Sequence, residues 1–354
     1  MDWMIYGANG YTGRLIAQEA KRQGKTPILA GRNVQRMAEL GSELALPTRA
    51  FPLDSPQAVA ASLHGIRLVL NCAGPFSKTA APLMRACIAS RAHYLDITGE
   101  IAVLESAHVF DAEAKTAGVV LCSGAGFDVV PTDCIALMLK NTLPQATELS
   151  LGFDLSDRRM SPGTAKTLIE GLGKSGKVRR AGRIVDFPLG RGMRRIDFGH
   201  GEKLAMPLPW GDVASAFYTT GIPNITVFTP VSPALAAAAR LTDAFAPLLR
   251  SLWIQGWLVN RIETNMRGPD VSTLAASQSW VWGEAVEANG RRCEIRIVTL
   301  NGYSLTVFSS LGIVDHLMSG VAAPGCWTPA LLMGEDFILR LPGTSKVDSL
   351  PQMG

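Results

Sequence analysis

The chain has 354 residues, enough for about two domains that each bury a core, so a minimal scaffold held together by disulfides is excluded. Hydrophobic residues make up 47% of the chain and charged residues 18%, which is typical of globular and not of disordered proteins. The net charge of +4 is too small to indicate a nucleic-acid partner, despite a basic run between Lys174 and Arg183.

Before residue 131, short apolar runs alternate with helical patterns, which is typical of a parallel sheet covered on both faces. The expected strands are Asp2–Tyr6, Pro27–Ala30, Thr48–Pro52, Leu68–Asn71, His93–Asp96 and Val119–Cys122. The expected helices are Arg14–Gln23, Asn33–Leu40, Ser55–Leu63, Ala80–Ala89 and Glu105–Ala117. The pattern predicts a doubly wound α/β domain of the Rossmann type.

After Pro131 one helix, Thr132–Leu143, is followed by longer alternating strands. These strands are expected at Glu148–Phe153, Ile184–Pro188, Met193–Phe198, Asn224–Thr229, Gln278–Glu287 and Cys293–Asn301. Asn289-Gly290 between the last two is a strong hairpin signal. Further helices are expected at Tyr303–Met318 and from Pro329 to Pro342. The fold class is therefore a Rossmann-type sheet plus a second α+β domain with a mixed or antiparallel sheet.

Six cysteines lie mostly beside apolar residues, at positions 72, 87, 122, 134, 293 and 326. They form no CxxC pair and no Cys/His spacing suited to zinc, so we expect no metal site and buried thiols in a reducing cytoplasm. Met1–Tyr6 leads directly into a strand, which leaves no room for a secretion signal. Prolines and charges interrupt Ser232–Ile262, the most apolar long stretch, so a cytoplasmic location is expected.

A glycine-rich loop follows the first strand and opens the first helix. It consists of Gly7, Ala8, Asn9, Gly10, Tyr11, Thr12 and Gly13. The first glycine permits a tight turn, the second leaves room for a pyrophosphate, and the third lets helix and strand pack closely. Because the N-terminus of a helix also attracts anions, the loop predicts a dinucleotide site.

The end of the second strand indicates which dinucleotide. NAD sites usually carry an acidic residue there, whereas this chain has Arg32 and Asn33. Arg32 can pair with a 2′-phosphate and stack on adenine, so NADP is the expected cofactor. Asp54, after the third strand, either approaches the adenine or is the N-cap of the next helix. The loop Cys72, Ala73, Gly74 and Pro75 is expected to contact ribose or nicotinamide.

Several motifs together resemble the saccharopine dehydrogenase-like oxidoreductases, in particular their bacterial branch of trans-acting enoyl reductases. They are Gly7–Gly13, Ala30–Arg32, Asn71–Phe76, Tyr94–Glu100, Gly124–Asp133, Ser161–Thr164, Gly302–Thr306 and Thr328–Ala330. The resemblance implies an NADP-binding Rossmann domain (1–131), an inserted substrate and dimerisation domain (132–322), and a C-terminal helix and tail (323–354) that pack back on the Rossmann domain. It also implies a homodimer.

In a nicotinamide enzyme the protein orients the substrate and manages one proton. The residues suited to that proton are Tyr218, His200, Asp128, Glu100 and Lys166. We take Tyr218, Asp128 and Glu100 as the catalytic candidates, and expect His200, which glycines flank, in a solvated turn.

The leading hypothesis is an NADP(H)-dependent oxidoreductase acting on a mostly apolar enoyl- or carbonyl-type small molecule. It rests on the cofactor loop and on an aromatic second domain that includes Trp210, Phe217, Phe228, Trp253, Trp257, Trp280 and Trp282. One alternative is an amino-acid or imine dehydrogenase of saccharopine dehydrogenase type, for which arginines 191, 194 and 195 would bind carboxylates. Another is a non-enzymatic NADP(H)-binding protein that docks on a membrane surface or partner through Ser232–Ile262.

Overall fold

The computed structural model describes residues 2–157, 175–188, 190–237, 239, 274 and 276–347. Two compact units divide the chain: Met1–Val130 with Tyr303–Gly334, and Pro131–Gly302 with Glu335–Gly354. The chain therefore leaves the first unit after one long segment and returns to it near its C-terminus.

The strands in chain order are β1 (Asp2–Tyr6), β2 (Ile28–Gly31), β3 (Thr48–Ala50), β4 (Ile66–Asn71), β5 (His93–Asp96), β6 (Val120–Cys122), β7 (Ala146–Leu155), β8 (Gly176–Arg180), β9 (Arg183–Phe187), β10 (Arg194–Asp197), β11 (Glu202–Pro207), β12 (Asn224–Pro230), β13 (Gln278–Glu287), β14 (Arg292–Leu300), β15 (Gly325–Cys326) and β16 (Ser345–Lys346). The helices are α1 (Tyr11–Arg22), α2 (Val34–Leu44), α3 (Pro56–Ser62), α4 (Phe76–Ser90), α5 (Ile101–Val109), α6 (Asp111–Ala117), α7 (Val130–Thr142), α8 (Asp212–Thr220), α9 (Gly302–Ser319) and α10 (Pro329–Met333), with a 3₁₀ helix at Glu335–Arg340.

The first unit is built on a sheet of seven described strands in the order β15-β6-β5-β4-β1-β2-β3. All its pairings are parallel. Its central strands are apolar along their length because both faces are covered, and Ile5, Leu29 and Leu70 are completely buried. This is the doubly wound sheet expected from the sequence.

Two helices of the first unit differ from the sequence prediction. α4 begins at Phe76, not at Ala80, because the Glu100 carboxylate accepts hydrogen bonds from the backbone N–H groups of Phe76 and Ser77 and caps the earlier turn. The single helix expected at Glu105–Ala117 is divided at Phe110 into α5 and α6. This break places the Phe110 side chain in the hydrophobic core.

The second unit contains a sheet of nine described strands, and seven of them follow the order β10-β11-β12-β7-β13-β14-β16. β7 and β12 pair in parallel and the other pairings are antiparallel, so the sheet is mixed, as expected. On one face of this sheet Phe198 packs edge-on against Trp282, with 6.4 Å between ring centroids. The opposite face packs on α7, because Ile135 and Leu139 lie against Gly283 of β13.

Four elements of this unit were not predicted: β8, β11, α8 and β16. β8 lies within the basic run that merited attention as a nucleic-acid signal. In the hairpin of β8 and β9, Lys177 pairs with Asp186 at 2.5 Å and the Arg179 side chain is buried. Lys177 and Arg179 of the run are thus engaged within the fold, and Lys174 lies outside the described residues.

The unit boundaries differ from the predicted domains near the C-terminus. Residues 303–319 of α9 belong to the first unit, not the second, because Ser309 Oγ donates to the Ala125 carbonyl at 2.7 Å and Thr306 Oγ1 accepts from the Phe127 N–H at 2.9 Å. β15 extends the first sheet beside β6. The segment from Glu335 onwards belongs to the second unit, where β16 pairs with β14.

In the part of the chain that the structure describes, no helix is long and apolar enough to cross a bilayer. The six cysteines are free thiols. Most of Ser232–Ile262, including Trp253 and Trp257, lies outside the described residues, and so does the motif Ser161–Thr164.

Candidate functional site

The loops that follow β1, β2, β4, β5 and β6 meet at the carboxyl edge of the first sheet, where ligands of open α/β sheets bind. Backbone hydrogen bonds tie them together. Gly7 N–H donates to the Ala30 carbonyl at 2.7 Å, and Cys72 N–H donates to the Tyr6 carbonyl at 2.7 Å. The glycine loop is thereby fixed between the second and fourth strands.

The glycines of this loop are required by the close approach of neighbouring backbone. Gly7 has φ +83°, and a Cβ on it would lie 2.7 Å from Ala73 N. A Cβ on Gly13 would overlap the Gly7 carbonyl oxygen. Gly10 is the N-cap of α1, so the first turn of this 12-residue helix opens directly from the loop. The loop thus has the close-packed glycine geometry that a phosphate cradle needs, and its binding of phosphate stays a prediction.

Arg32 follows β2 and is exposed. It makes no hydrogen bond or ion pair with any described residue, so its guanidinium is available to a ligand. Arg32 and Asp54 both influence Tyr6 at the end of β1: burial raises the pKa of the Tyr6 hydroxyl to about 12, Arg32 opposes the rise and Asp54 adds to it. The loops after β2 and β3 therefore meet at Tyr6.

Asn33 and Asp54 have different local roles from each other. Asn33 Oδ1 accepts from Arg36 N–H at 2.9 Å and caps α2. The N-cap of α3 is Ser55, not Asp54, because Ser55 Oγ accepts from Ala58 N–H. Of the two roles weighed for Asp54, the capping role is thus taken by its neighbour, and the exposed carboxylate stays at the adenine end of the predicted site.

A buried polar chain connects the carboxyl ends of β4, β5 and β6. Asn71 Nδ2 donates to the Tyr94 hydroxyl at 3.1 Å, and that hydroxyl donates to Asp96 Oδ2 at 2.9 Å. Asp96 also accepts from Ser123 Oγ at 2.9 Å and from the backbone N–H groups of Thr98 and Gly124. Burial raises the pKa of Asp96, and these four donors oppose the rise. These hydrogen bonds fix the relative positions of the three loops that follow β4, β5 and β6.

Residues 72–75 lie beside these hydrogen-bonded polar side chains. Ala73 N–H donates to Asn71 Oδ1 at 3.0 Å, which orients the loop towards the glycine loop. Burial raises the pKa of the Cys72 thiol, and nearby Asp96 raises it further, so the thiol stays protonated. Because only the thiolate is a strong nucleophile, we do not assign Cys72 a nucleophilic role.

Both carboxylate oxygens of Glu100 accept hydrogen bonds at the start of α4. The donors are the backbone N–H groups of Phe76 and Ser77, each at 2.8 Å. This side chain occupies the positive end of that helix. A structural capping role accounts for its position, and its catalytic role stays a prediction.

Asp128 lies in the loop between β6 and α7, packed over Gly99: a Cβ on Gly99 would lie 2.8 Å from Asp128 Oδ2. The carboxyl is mostly buried, and among the described residues it has no hydrogen-bond or ion-pair partner. Burial alone raises its pKa to about 7. Such a group exchanges a proton at neutral pH, as a general acid or base must.

Sequence reasoning missed the support that α9 gives this loop. Its first turn holds the loop of Asp128 through the Thr306 bond to Phe127 N–H. Tyr303 packs edge-on against Tyr11 of the glycine loop, with 4.9 Å between ring centroids. The motif Gly302–Thr306 was the available signal, but it lies far from both loops in sequence.

Two of the remaining candidates, Tyr218 and His200, belong to the second unit. Tyr218 lies half-buried on α8 of the second unit, beside Phe217, and its catalytic role stays a prediction. His200 lies exposed in the bend between β10 and β11, as expected, and there it stacks on Trp280 with 3.9 Å between ring centroids and contacts buried Asp154 at 3.0 Å. Lys166 lies outside the described residues. No group of metal-ligating side chains occurs among the described residues.

Comparisons with known proteins find similarity over part of the chain, which includes most of the first unit. Residues 3–122 match the family model of the saccharopine dehydrogenase NADP binding domain. A trans-acting enoyl reductase from Mycobacterium tuberculosis is 27% identical over 201 residues, which cover 53% of this chain and 48% of that protein. A saccharopine dehydrogenase-like oxidoreductase from Mus musculus is 26% identical over 202 residues, which cover 50% of this chain and 47% of that protein. The matched regions thus span slightly less than half of these relatives.

The fold has a solved counterpart over nearly the whole chain. The apo form of saccharopine dehydrogenase (L-Glu forming) from Saccharomyces cerevisiae superposes with a TM-score of 0.61 at 10% identity, covering 93% of this chain and 94% of that one. This confirms the two-domain α/β fold. The family model confirms NADP as the cofactor, and the cradle of Gly7, Gly10 and Gly13 with available Arg32 fits it.

Proposed function

We propose that this chain, whose residues 3–122 are a saccharopine dehydrogenase NADP-binding domain, is an NADPH-dependent reductase of a mostly apolar enoyl- or carbonyl-type substrate. The observation that carries the proposal is Asp128, a mostly buried carboxyl with a pKa of about 7 at the ligand-binding edge of this domain. Reduction of a carbon–carbon or carbon–oxygen double bond needs one proton as well as a hydride. Asp128 is protonated over the lower half of the physiological pH range and supplies that proton.

Each part of the site has a separate task. The glycine loop holds the pyrophosphate, Arg32 the 2′-phosphate, and residues 72–75 line the edge beside β4. NADPH, when bound, supplies the hydride. Asp128 donates its carboxyl proton to the substrate atom that gains electron density, and solvent restores the proton afterwards. Gly99 positions the Asp128 carboxyl, since any side chain there would displace it.

The charges of the second unit support an apolar substrate. A saccharopine-type substrate carries several carboxylates, which need free cationic groups. Arg194 is instead paired with Glu284 at 2.8 Å and lies against the rings of Phe228 and Trp282. Arg195 faces Glu202 at 3.9 Å. Of the three arginines considered from the sequence, Arg191 alone makes no ion pair with the described residues.

Two further cations of this unit, Lys203 and Arg179, are also engaged within it. Lys203 Nζ lies 2.6 Å from Asp154, and Arg179 donates to the carbonyls of Val213 and Gly182, each at 2.8 Å. The described aromatic residues Phe228 and Trp282 are buried in the core of the unit, so they account for part of its aromatic content without a ligand. The paired cations, more than the aromatic content, favour a substrate with few carboxylates.

Substrate class is tested by following NADPH oxidation with three substrates: a medium-chain α,β-unsaturated acyl thioester, an apolar ketone, and aminoadipate semialdehyde with glutamate. We expect turnover of the thioester or the ketone, and none with the amino-acid pair. NADPH oxidation without substrate is the blank. Turnover confined to the amino-acid pair would overturn the apolar assignment and establish the saccharopine-type alternative.

Arg32→Ala tests the cofactor assignment separately from the substrate. Loss of one charge-assisted contact to the 2′-phosphate is expected to raise the Kd for NADPH by about 30-fold and to leave the Kd for NADH unchanged within about twofold. Fluorescence energy transfer from tryptophan to the reduced nicotinamide measures both. Arg36→Ala, an exposed arginine on α2 whose backbone alone contacts Asn33, is the matched control. Equal weakening of NADPH and NADH would contradict the role of Arg32 in phosphate recognition.

A further inference from the structure

The first unit contains a cavity of about 320 Å³ at the amino ends of its parallel strands. Arg67, the second residue of β4, and His93, the first residue of β5, line it together with Arg91. The cofactor loops lie at the carboxyl ends of the same strands, so this cavity is at the opposite edge of the sheet. No carboxylate is among the described side chains that line it.

The Arg67 guanidinium is fixed in this cavity. Its Nη1 donates to the Met318 carbonyl at 3.1 Å, at the C-terminal end of α9. Gly320, which also lines the cavity, has φ +80°, and a Cβ on it would lie 2.9 Å from Arg67 Nη2. The glycine therefore admits the guanidinium, and Arg67 has nitrogen donors beyond the one that Met318 uses.

Arg91 occupies a position where glycine is usual. It is the C-cap of α4 with φ +55°, in the left-handed region, and it is exposed. Residues other than glycine and asparagine carry an energetic cost in this conformation. The Arg91 side chain makes no ion pair or hydrogen bond with the described residues, so nothing in the fold accounts for an arginine here.

His93 completes the set. Its Nδ1 accepts a hydrogen bond from Val120 N–H at 3.0 Å, so in the neutral ring the proton is on Nε2, which can donate. Burial lowers the pKa of His93, and the Arg67 charge lowers it further. The C-terminal ends of α4 and α9 each contribute only about half a negative charge, so two guanidinium groups leave the cavity positive.

We propose that this cavity binds a small polyvalent oxyanion, held by the guanidinium groups of Arg67 and Arg91 and by the Nε2 proton of His93. Guanidinium groups bind phosphoryl and carboxylate oxygens in pairs. The volume is at the lower end of the range for small-molecule sites and admits a diphosphate or a tricarboxylate. The proposal does not depend on the proposed function, because it uses neither the cofactor loops nor Asp128.

The test is isothermal titration of the NADPH-saturated protein with pyrophosphate and, separately, with citrate, at constant ionic strength. Saturation with NADPH blocks the phosphate cradle at the other edge. We expect one site per chain, and the tighter of the two probes identifies the ligand as phosphoryl or carboxylate. Absence of heat with both probes would overturn the proposal.

Two variants separate binding from folding. Arg91→Gly removes a guanidinium and places the residue best suited to φ +55°, so the melting temperature should not fall while the probe affinity falls about tenfold. Arg67→Lys keeps the charge but loses the paired donors, and should weaken binding severalfold. Lys21→Gln, which removes one exposed charge from α1 outside the cavity, should bind like the unmodified chain. Equal affinity in Arg91→Gly and Lys21→Gln would show that the heat comes from nonspecific attraction and would refute the site.

Discussion

Asp128→Asn is expected to lower kcat/KM for the reduced substrate by about 10²- to 10³-fold, because the amide cannot donate a proton to the developing negative charge. The Kd for NADPH should change by less than about twofold, since Asp128 lies outside the glycine loop and contacts Gly99. Single-turnover NADPH oxidation and fluorescence titration of NADPH measure the two quantities. A loss of cofactor affinity equal to the loss of activity would contradict the role of proton donor.

The pH profile gives a second measure of the same role. In the unmodified chain kcat/KM for reduction should fall as the pH rises through about 7, because the acid must be protonated to react. In Asp128→Asn this limb should be absent and the remaining activity flat. Glu113→Gln, which removes an exposed carboxylate from the first turn of α6, is the charge-matched control and should keep the limb. A limb that persists in Asp128→Asn would assign the titration to another group.

Stability should depend on pH through the same carboxyl. Its folded-state pKa, about 7, exceeds the ordinary value of 3.8, so the folded chain holds the proton more tightly than the unfolded chain. The free energy of unfolding therefore declines as the pH rises from 3.8 to about 7, and is constant above that range. Because the carboxyl keeps some solvent contact, we expect Asp128→Asn to be more stable than the unmodified chain by about 2 kcal/mol at pH 8 and not at pH 4.

The sequence predicted the parts of the site that depend on local patterns. The glycine loop was recognisable because its turn needs Gly7 at a positive φ and its packing needs Gly13. Arg32 was recognisable because it directly follows an apolar strand. Asp128 was selected as one carboxylate among several, and only burial against Gly99 distinguishes it from Glu100, whose oxygens cap α4. Burial of a loop carboxylate depends on tertiary packing, which cannot be predicted from the local sequence pattern.

The elements that were not predicted from the sequence also depend on tertiary contacts. Three of the five residues of β8 are arginine or lysine, and it is a strand because Arg179 is buried against the Phe217 ring, 4.2 Å away. α8 has no side-chain cap hydrogen bond at its N-terminus, so its beginning carries no local signal. The assignment of α9 to the predicted second domain (132–322) was wrong because its hydrogen bonds reach Ala125 and Phe127, about 180 residues earlier in the chain.

Asp96→Ala is expected to have the largest effect on stability, about 4 kcal/mol, because it leaves four donors without an acceptor in the core. These are the Tyr94 and Ser123 hydroxyls and the N–H groups of Thr98 and Gly124. Asp96→Asn should cost about half as much, because its oxygen still accepts from the two N–H groups while the hydroxyls rotate to accept from its NH₂. Tyr94→Phe removes one donor and should cost about 1 kcal/mol. Urea unfolding at neutral pH, followed by a probe of the first unit, measures the series.

The same series tests whether the buried polar chain positions the ligand loops. Asp96 connects the loop of Glu100 with the loop that carries Asp128, so its loss should disorder both and raise the Kd for NADPH, measured where the variant is still folded. Tyr94→Phe keeps the Asp96 bonds to Thr98 and Gly124, so its NADPH affinity should be normal. A fully stable Asp96→Ala with normal cofactor affinity would mean that water replaces the carboxylate, and the loop of Asp128 would then be held by the Ala125 N–H bond to the carbonyl of residue 96 and by the α9 bonds at Ala125 and Phe127.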